Sequence, residues 1–127
     1  MKLNGLAHIG VKVKNPDASA AFYCDVMGFK KTSEHDFPAC RIVFVEQGSC
    51  ILELIEKEGA HVSSDNVVAH ICLEVKDIEQ AVDQLAAAGV PVTREQIRSN
   101  NMFGGAKNIF FDGPDGESIE LFEFLAK

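Results

Sequence analysis

Two histidines and two glutamates stand out by where they occur. His8 and His70 open the stretches HIGVKVKN (8–15) and HICLEVKD (70–77), while Glu53 and Glu120 sit inside the apolar stretches LELIE (52–56) and IELFE (119–123). A carboxylate within such a strand carries a desolvation cost of about 3 kcal/mol unless a cation or hydrogen-bond donors meet it. Two imidazoles and two carboxylates suit a divalent transition metal such as Zn, Ni, Co, Mn or Fe, which would compensate both glutamates. Any one of the four is explained as well by a strand histidine bonded to its neighbours, or by a carboxylate on a wet sheet surface. The set, at matching places in two halves of the chain, points to the metal.

The elements that must position these residues are written twice. His8 and His70, Val13 and Val75, and Lys14 and Lys76 recur 62 residues apart. Each block then reaches a helix N-cap residue, Asn15 or Asp77, and Pro16 follows the first where a missing N–H costs least. Helices are expected over 17–27, with Ala18, Ala21, Phe22 and Val26 as the apolar stripe, and over 78–88, with Ile78, Ala81, Val82 and Leu85. Gly28 and Gly89 end them. Extended segments are expected at 29–35, 41–47 and 49–56, then at 91–97, 107–112 and 117–124, with turns at 46–49 and 112–117.

Each half is therefore β-α-β-β-β, and the fold class is α+β, two βαβββ modules in tandem. A single domain spans 1–127, with module one at 1–58, a linker at 59–66 and module two at 67–127. Side-chain alternation puts Ala7, Ile9, Val11 and Val13 on one face of the first strand and Leu6, His8, Gly10 and Lys12 on the other. In the second module Ala69, Ile71, Leu73 and Val75 oppose Val68, His70, Cys72 and Glu74. Leu52 and Leu54, and Ile119 and Leu121, pack toward the helices, leaving Glu53 with Ile55 and Glu120 with Phe122 on the opposite side. Both histidines and both glutamates thus point away from the helices.

Composition narrows the partners. Nineteen acidic and twelve basic residues give 127 residues a formal charge of −7, which argues against nucleic acid, whose phosphates demand clustered Lys and Arg. No stretch approaches the ~20 apolar residues of a membrane span, and MKLNGLAHIG lacks the apolar core of a signal peptide. Cys24, Cys40, Cys50 and Cys72 form no C-x-x-C pair, so reduced thiols in a cytoplasmic protein are expected. Segment 98–108 (RSNNMFGGAKN) is polar and glycine-containing, a candidate lid over substrate or an ordinary connection. Cys72 shares the face of His70, as a pocket-lining residue or a small packing residue.

HIGVKV, FYCDVMGF, ILELIE, HICLEV and DGPDGESIELFE, in that order, resemble the vicinal oxygen chelate superfamily, the glyoxalase I/bleomycin-resistance/extradiol-dioxygenase group, over essentially the whole chain. The resemblance implies curved mixed sheets around a metal site, with His8, Glu53, His70 and Glu120 as the ligands of one divalent ion. It also implies a homodimer with sites between subunits. A complete His, Glu, His, Glu set is most similar to glyoxalase I-type enzymes, which isomerise a hemithioacetal to a thioester through an enediolate. Such a reaction needs a base and a Lewis acid at the two oxygens; Glu120 is expected as the principal base, with Glu53 on the other side of the substrate.

Two alternatives stand beside this reading: a methylmalonyl-CoA epimerase-like isomerase acting on an acyl-CoA, and a non-catalytic small-molecule binding or resistance protein. Glutathione-specific relatives usually carry Arg where this chain has Lys12, and Asn where it has Lys57; Arg and Lys are not interchangeable in bidentate recognition. Lys12, Arg41, Arg98 and Lys107 are candidates for an anion-binding site. With Cys72, Phe103 and Phe122 they complete the expected substrate-binding residues.

Overall fold

The structure, a computed structural model, describes residue 2, residues 6–58, residue 68 and residues 70–126. The chain divides into two compact units, residues 1–61 and 62–127; the expected linker at 59–66 lies outside the described residues. The first unit runs β1 (Ile9–Val13), α1 (Pro16–Asp25), β2 (Lys30–Asp36), β3 (Arg41–Gln47) and β4 (Cys50–Glu56). The second runs β5 (Ile71–Glu74), α2 (Ile78–Ala87), β6 (Arg98–Asn100), β7 (Ala106–Asp112) and β8 (Ser118–Phe124), with single 3-10 turns at Arg94–Gln96 and Met102–Gly104. The sheets have matching orders, β1-β4-β3-β2 and β5-β8-β7-β6. In each, the first strand runs parallel to the last and the other pairs are antiparallel. Each module is the βαβββ unit expected from the repeat.

Local chemistry explains the helices. The side chains of Asn15 and Asp77 accept the backbone N–H groups of Ala18 and Gln80 at 3.1 and 3.0 Å, satisfying donors that the first turn leaves without partners. Gly28 and Gly89 leave each helix at φ of +78° and +93°, a region that costs glycine nothing. Val13, Tyr23, Val43, Val45, Leu52 and Leu54 are buried in the first module, and Ile78, Val82, Leu85, Ile119 and Leu121 in the second. In α2 the expected stripe holds, since Ile78, Val82 and Leu85 are its buried residues.

Several expectations are corrected. The buried face of α1 is Pro16, Ser19, Ala20 and Tyr23, not the stripe through Ala18 and Phe22. Small side chains at 19 and 20 allow a close approach, and Tyr23 packs edge-on against Phe29 with centroids 5.5 Å apart. The first strands are shorter than expected, so that His8 and His70 lie one residue ahead of β1 and β5. No strand forms at 91–97. There the polar side chains bond locally: Thr93 N–H donates to Gln96 Oε1 at 2.9 Å, and Arg94 Nε to Asp83 of α2 at 2.9 Å. Strand pairing starts at Arg98, opposite Asn108. The candidate lid is consequently structured: it contains β6, the Met102–Gly104 turn and the beginning of β7.

Candidate functional site

In the first module, strand register brings Gly10 of β1 and Phe44 of β3 to either side of Glu53. His8, two residues before Gly10, shares that face; its Nε2 lies 3.6 Å from Glu53 Oε1, and Phe44 meets the imidazole edge-on at 5.6 Å. The second module repeats the arrangement. Cys72 and Phe110 flank Glu120, His70 Nε2 lies 3.0 Å from Glu120 Oε2, and Phe110 meets His70 edge-on at 5.3 Å. The imidazoles are well exposed, at 43% for His8 and 38% for His70, whereas the carboxylates are 21% exposed for Glu53 and 8% for Glu120.

The neighbours of the two carboxylates differ. Asn108 Nδ2 donates to Glu120 Oε1 at 3.0 Å, and the Cys72 thiol is hydrogen-bonded to the same carboxylate. Burial, then the charge of Glu120 and this hydrogen bond, push the Cys72 thiol up to about 11, so it is a donor and not a thiolate at neutral pH. Glu53 meets only His8 among the described residues. A cavity of about 640 Å³ opens at the second pair, lined by His70, Cys72, Glu74, Asn108 and Glu120 with Met102, Phe103, Phe110, Phe122 and Phe124. Phe103, Phe122 and Phe124 pack edge-on at 4.9–5.9 Å. Phe103 reaches this wall from a left-handed backbone, φ +53°, a conformation that costs a bulky residue about 1–3 kcal/mol.

The structure thus brings Cys72, Phe103 and Phe122 to the cavity beside His70 and Glu120. Neither cation expected from this module, Arg98 or Lys107, lines that cavity. Arg41 is held by Asp17, Glu34 and Asp36 at 2.8–3.0 Å, and Lys107 by Glu79 of α2 at 2.6 Å. Both therefore face the helix side of their sheets. Arg98 lines a smaller cavity of about 370 Å³ with Asn108 and Phe110. Lys12 is exposed and falls, by alternation, on the face of His8. Three residues beside these pairs escaped the sequence reading: Asn108 and Phe110 in the second module, and in the first His35, whose ring stands 6.0 Å from that of Phe44. An asparagine among the apolar residues of AKNIFFD, in step with Phe110, was the available signal for the first.

Residues 5–121 match the Glyoxalase/Bleomycin resistance protein/Dioxygenase superfamily. The chain belongs to that superfamily. It is 32% identical over 126 residues to the lactoylglutathione lyase of Salmonella typhimurium, covering 93% of this chain and 91% of the relative. It is 30% identical over 129 positions to a probable lactoylglutathione lyase of Synechocystis, covering 96% and 97%. The crystal structure of a glyoxalase family protein from Enterococcus faecalis superposes with a TM-score of 0.82 at 26% identity, covering 97% of this chain and all of that one.

For a member of this superfamily the donor set can be tested against a metal on its own geometry. Two ligands each ~2.1 Å from an ion lie roughly 3.0–3.5 Å apart. The imidazole-to-carboxylate separation of 3.0 Å in the second module falls within that spacing and the 3.6 Å of the first lies just beyond it; both pairs open to an exposed face. Among the described residues no three His, Cys, Asp or Glu side chains group to hold an ion. Each module presents one imidazole and one carboxylate side by side.

Proposed function

We propose that the protein is a metal-dependent lyase or isomerase of the glyoxalase I type, moving a proton between adjacent carbons of a small carbonyl substrate presented as a hemithioacetal. The observation that carries this reading is the His–Glu pair repeated on the exposed face of each module. Relatives named as lactoylglutathione lyases, at 30–32% identity over nearly the whole chain, support it. His8 and His70 would hold the ion through neutral Nε2, with Glu53 and Glu120 completing the set. Bound there, a divalent ion supplies Lewis-acid stabilisation of negative charge on two neighbouring substrate oxygens.

Glu120 takes the proton from one carbon and Glu53 serves the opposite side of the substrate. The proton returns to the adjacent carbon while the hydroxyl proton passes to the neighbouring oxygen, so the substrate is isomerised with no net oxidation. Phe103, Phe110, Phe122 and Phe124 wall the cavity and keep water from the reacting carbons. The complete site joins the first-module pair of one subunit to the second-module pair of another in a homodimer.

Two measurements test this. Protein purified without chelator should take up about one divalent ion per site from among Zn, Ni, Co, Mn and Fe. His8→Ala and His70→Ala should weaken uptake more than Glu53→Gln or Glu120→Gln, whose amide oxygen still coordinates. Folded protein that binds none of the five metals overturns the reading. The metal-loaded protein is then offered methylglyoxal with several thiols, alongside methylmalonyl-CoA. Turnover of the first supports the lyase and turnover of the second the epimerase; tight binding without turnover leaves a binding protein.

A further inference from the structure

We infer that Asn108 is a positioning residue for Glu120, and that it makes the two carboxylates of the site unequal. The inference rests on the proposed function for its catalytic consequence, but its geometry stands alone. Met102 N–H donates to Asn100 Oδ1 at 3.0 Å, Asn100 Nδ2 to Asn108 Oδ1 at 3.3 Å, and Asn108 Nδ2 to Glu120 Oε1 at 3.0 Å. The chain starts at a backbone N–H, which can only donate, so the direction of every amide in it is fixed. Asn108 and Glu120 are 9% and 6% exposed, where an unmet carboxylate oxygen would be costly. With Oε1 engaged, Oε2 is the oxygen turned to His70.

The first module lacks this device. Asn108 sits opposite Phe122, two residues past Glu120; the residue opposite Ile55, two past Glu53, is Ile42. Where Cys72 donates to Glu120, Gly10 lies beside Glu53. A Cβ there would come within 3.4 Å of Glu53 Oε1. The structure therefore gives one carboxylate two side-chain donors and the other none among the described residues. Glu120 is held by these donors, whereas Glu53 has only His8 beside it among the described residues.

Asn108→Leu removes the donor at nearly constant shape. In the zinc-loaded protein it should lower kcat by roughly tenfold or more, the scale of one hydrogen bond to a charged group, and change KM by less than about threefold. A second measurement needs no substrate. In 15N-labelled protein the Asn108 side-chain NH₂ should show one downfield, slowly exchanging proton that disappears in Glu120→Ala. Near-normal kcat in a folded, fully metallated Asn108→Leu protein overturns the inference. So does an Asn108 NH₂ signal that ignores Glu120→Ala. If no substrate is turned over, the proposed function fails and the resonance alone decides whether Asn108 holds Glu120.

Discussion

Glu53 and Glu120 occupy equivalent strand positions but live in different surroundings, and substitution at Glu120 reads the difference. Gln keeps the shape and one oxygen that can coordinate, but it cannot take a proton as a carboxylate does. Glu120→Gln should therefore keep most of its metal and lose roughly 10²-fold or more in turnover, the scale of positioned acid–base help. Metal occupancy measured on the same sample excludes the empty protein that would mimic a lost base. Full occupancy with near-normal turnover would reassign the base to Glu53. At this scale the four principal residues were legible because histidine and glutamate are conspicuous among Ile, Leu and Val. Asn108 was not, because a lone asparagine in a strand carries no signature until the register places it beside a carboxylate.

Among the elements, β3 and α1 are tied by Arg41, which bonds Asp17 through Nε and Nη2 and also reaches Glu34 and Asp36 of β2. Arg41 holds the Asp17 carboxyl below its ordinary range; Lys31 first, then Arg41, does the same for Glu34. A lowered carboxylate contributes stability above its unfolded value, near 4, and loses it as pH falls through the folded value. Arg41→Met should thus melt at lower temperature than the parent at pH 7, with the gap narrowing in acid as pH falls below the ordinary carboxylate range. An equal gap at pH 7 and in acid would show that packing of the arginine stem matters instead. The caps and the helix bounds were readable because Asn15, Asp77, Gly28 and Gly89 act locally. The absence of a strand at 91–97 was not, since it depends on Arg94 finding Asp83 and on pairing that begins only at Arg98.

At the scale of the molecule, the repeat is what made the fold readable: two blocks spaced 62 residues apart gave the same element order and the same face for each His–Glu pair. It could not say which pair joins which, because that depends on assembly and not on any one strand. The proposed function predicts a symmetric homodimer with two equivalent sites. A His8→Ala chain and a Glu120→Ala chain should each be inactive alone. If modules are shared between subunits, a mixed dimer has one site carrying both defects and one carrying neither. Random mixing after subunit exchange should then restore roughly a quarter of the parent activity, half the dimers being hybrid with one intact site of two. Sites built within single chains would each keep one defect, and mixing would restore nothing. That outcome would move the site inside the chain, and a monomer by sedimentation at micromolar concentration would remove the shared site altogether.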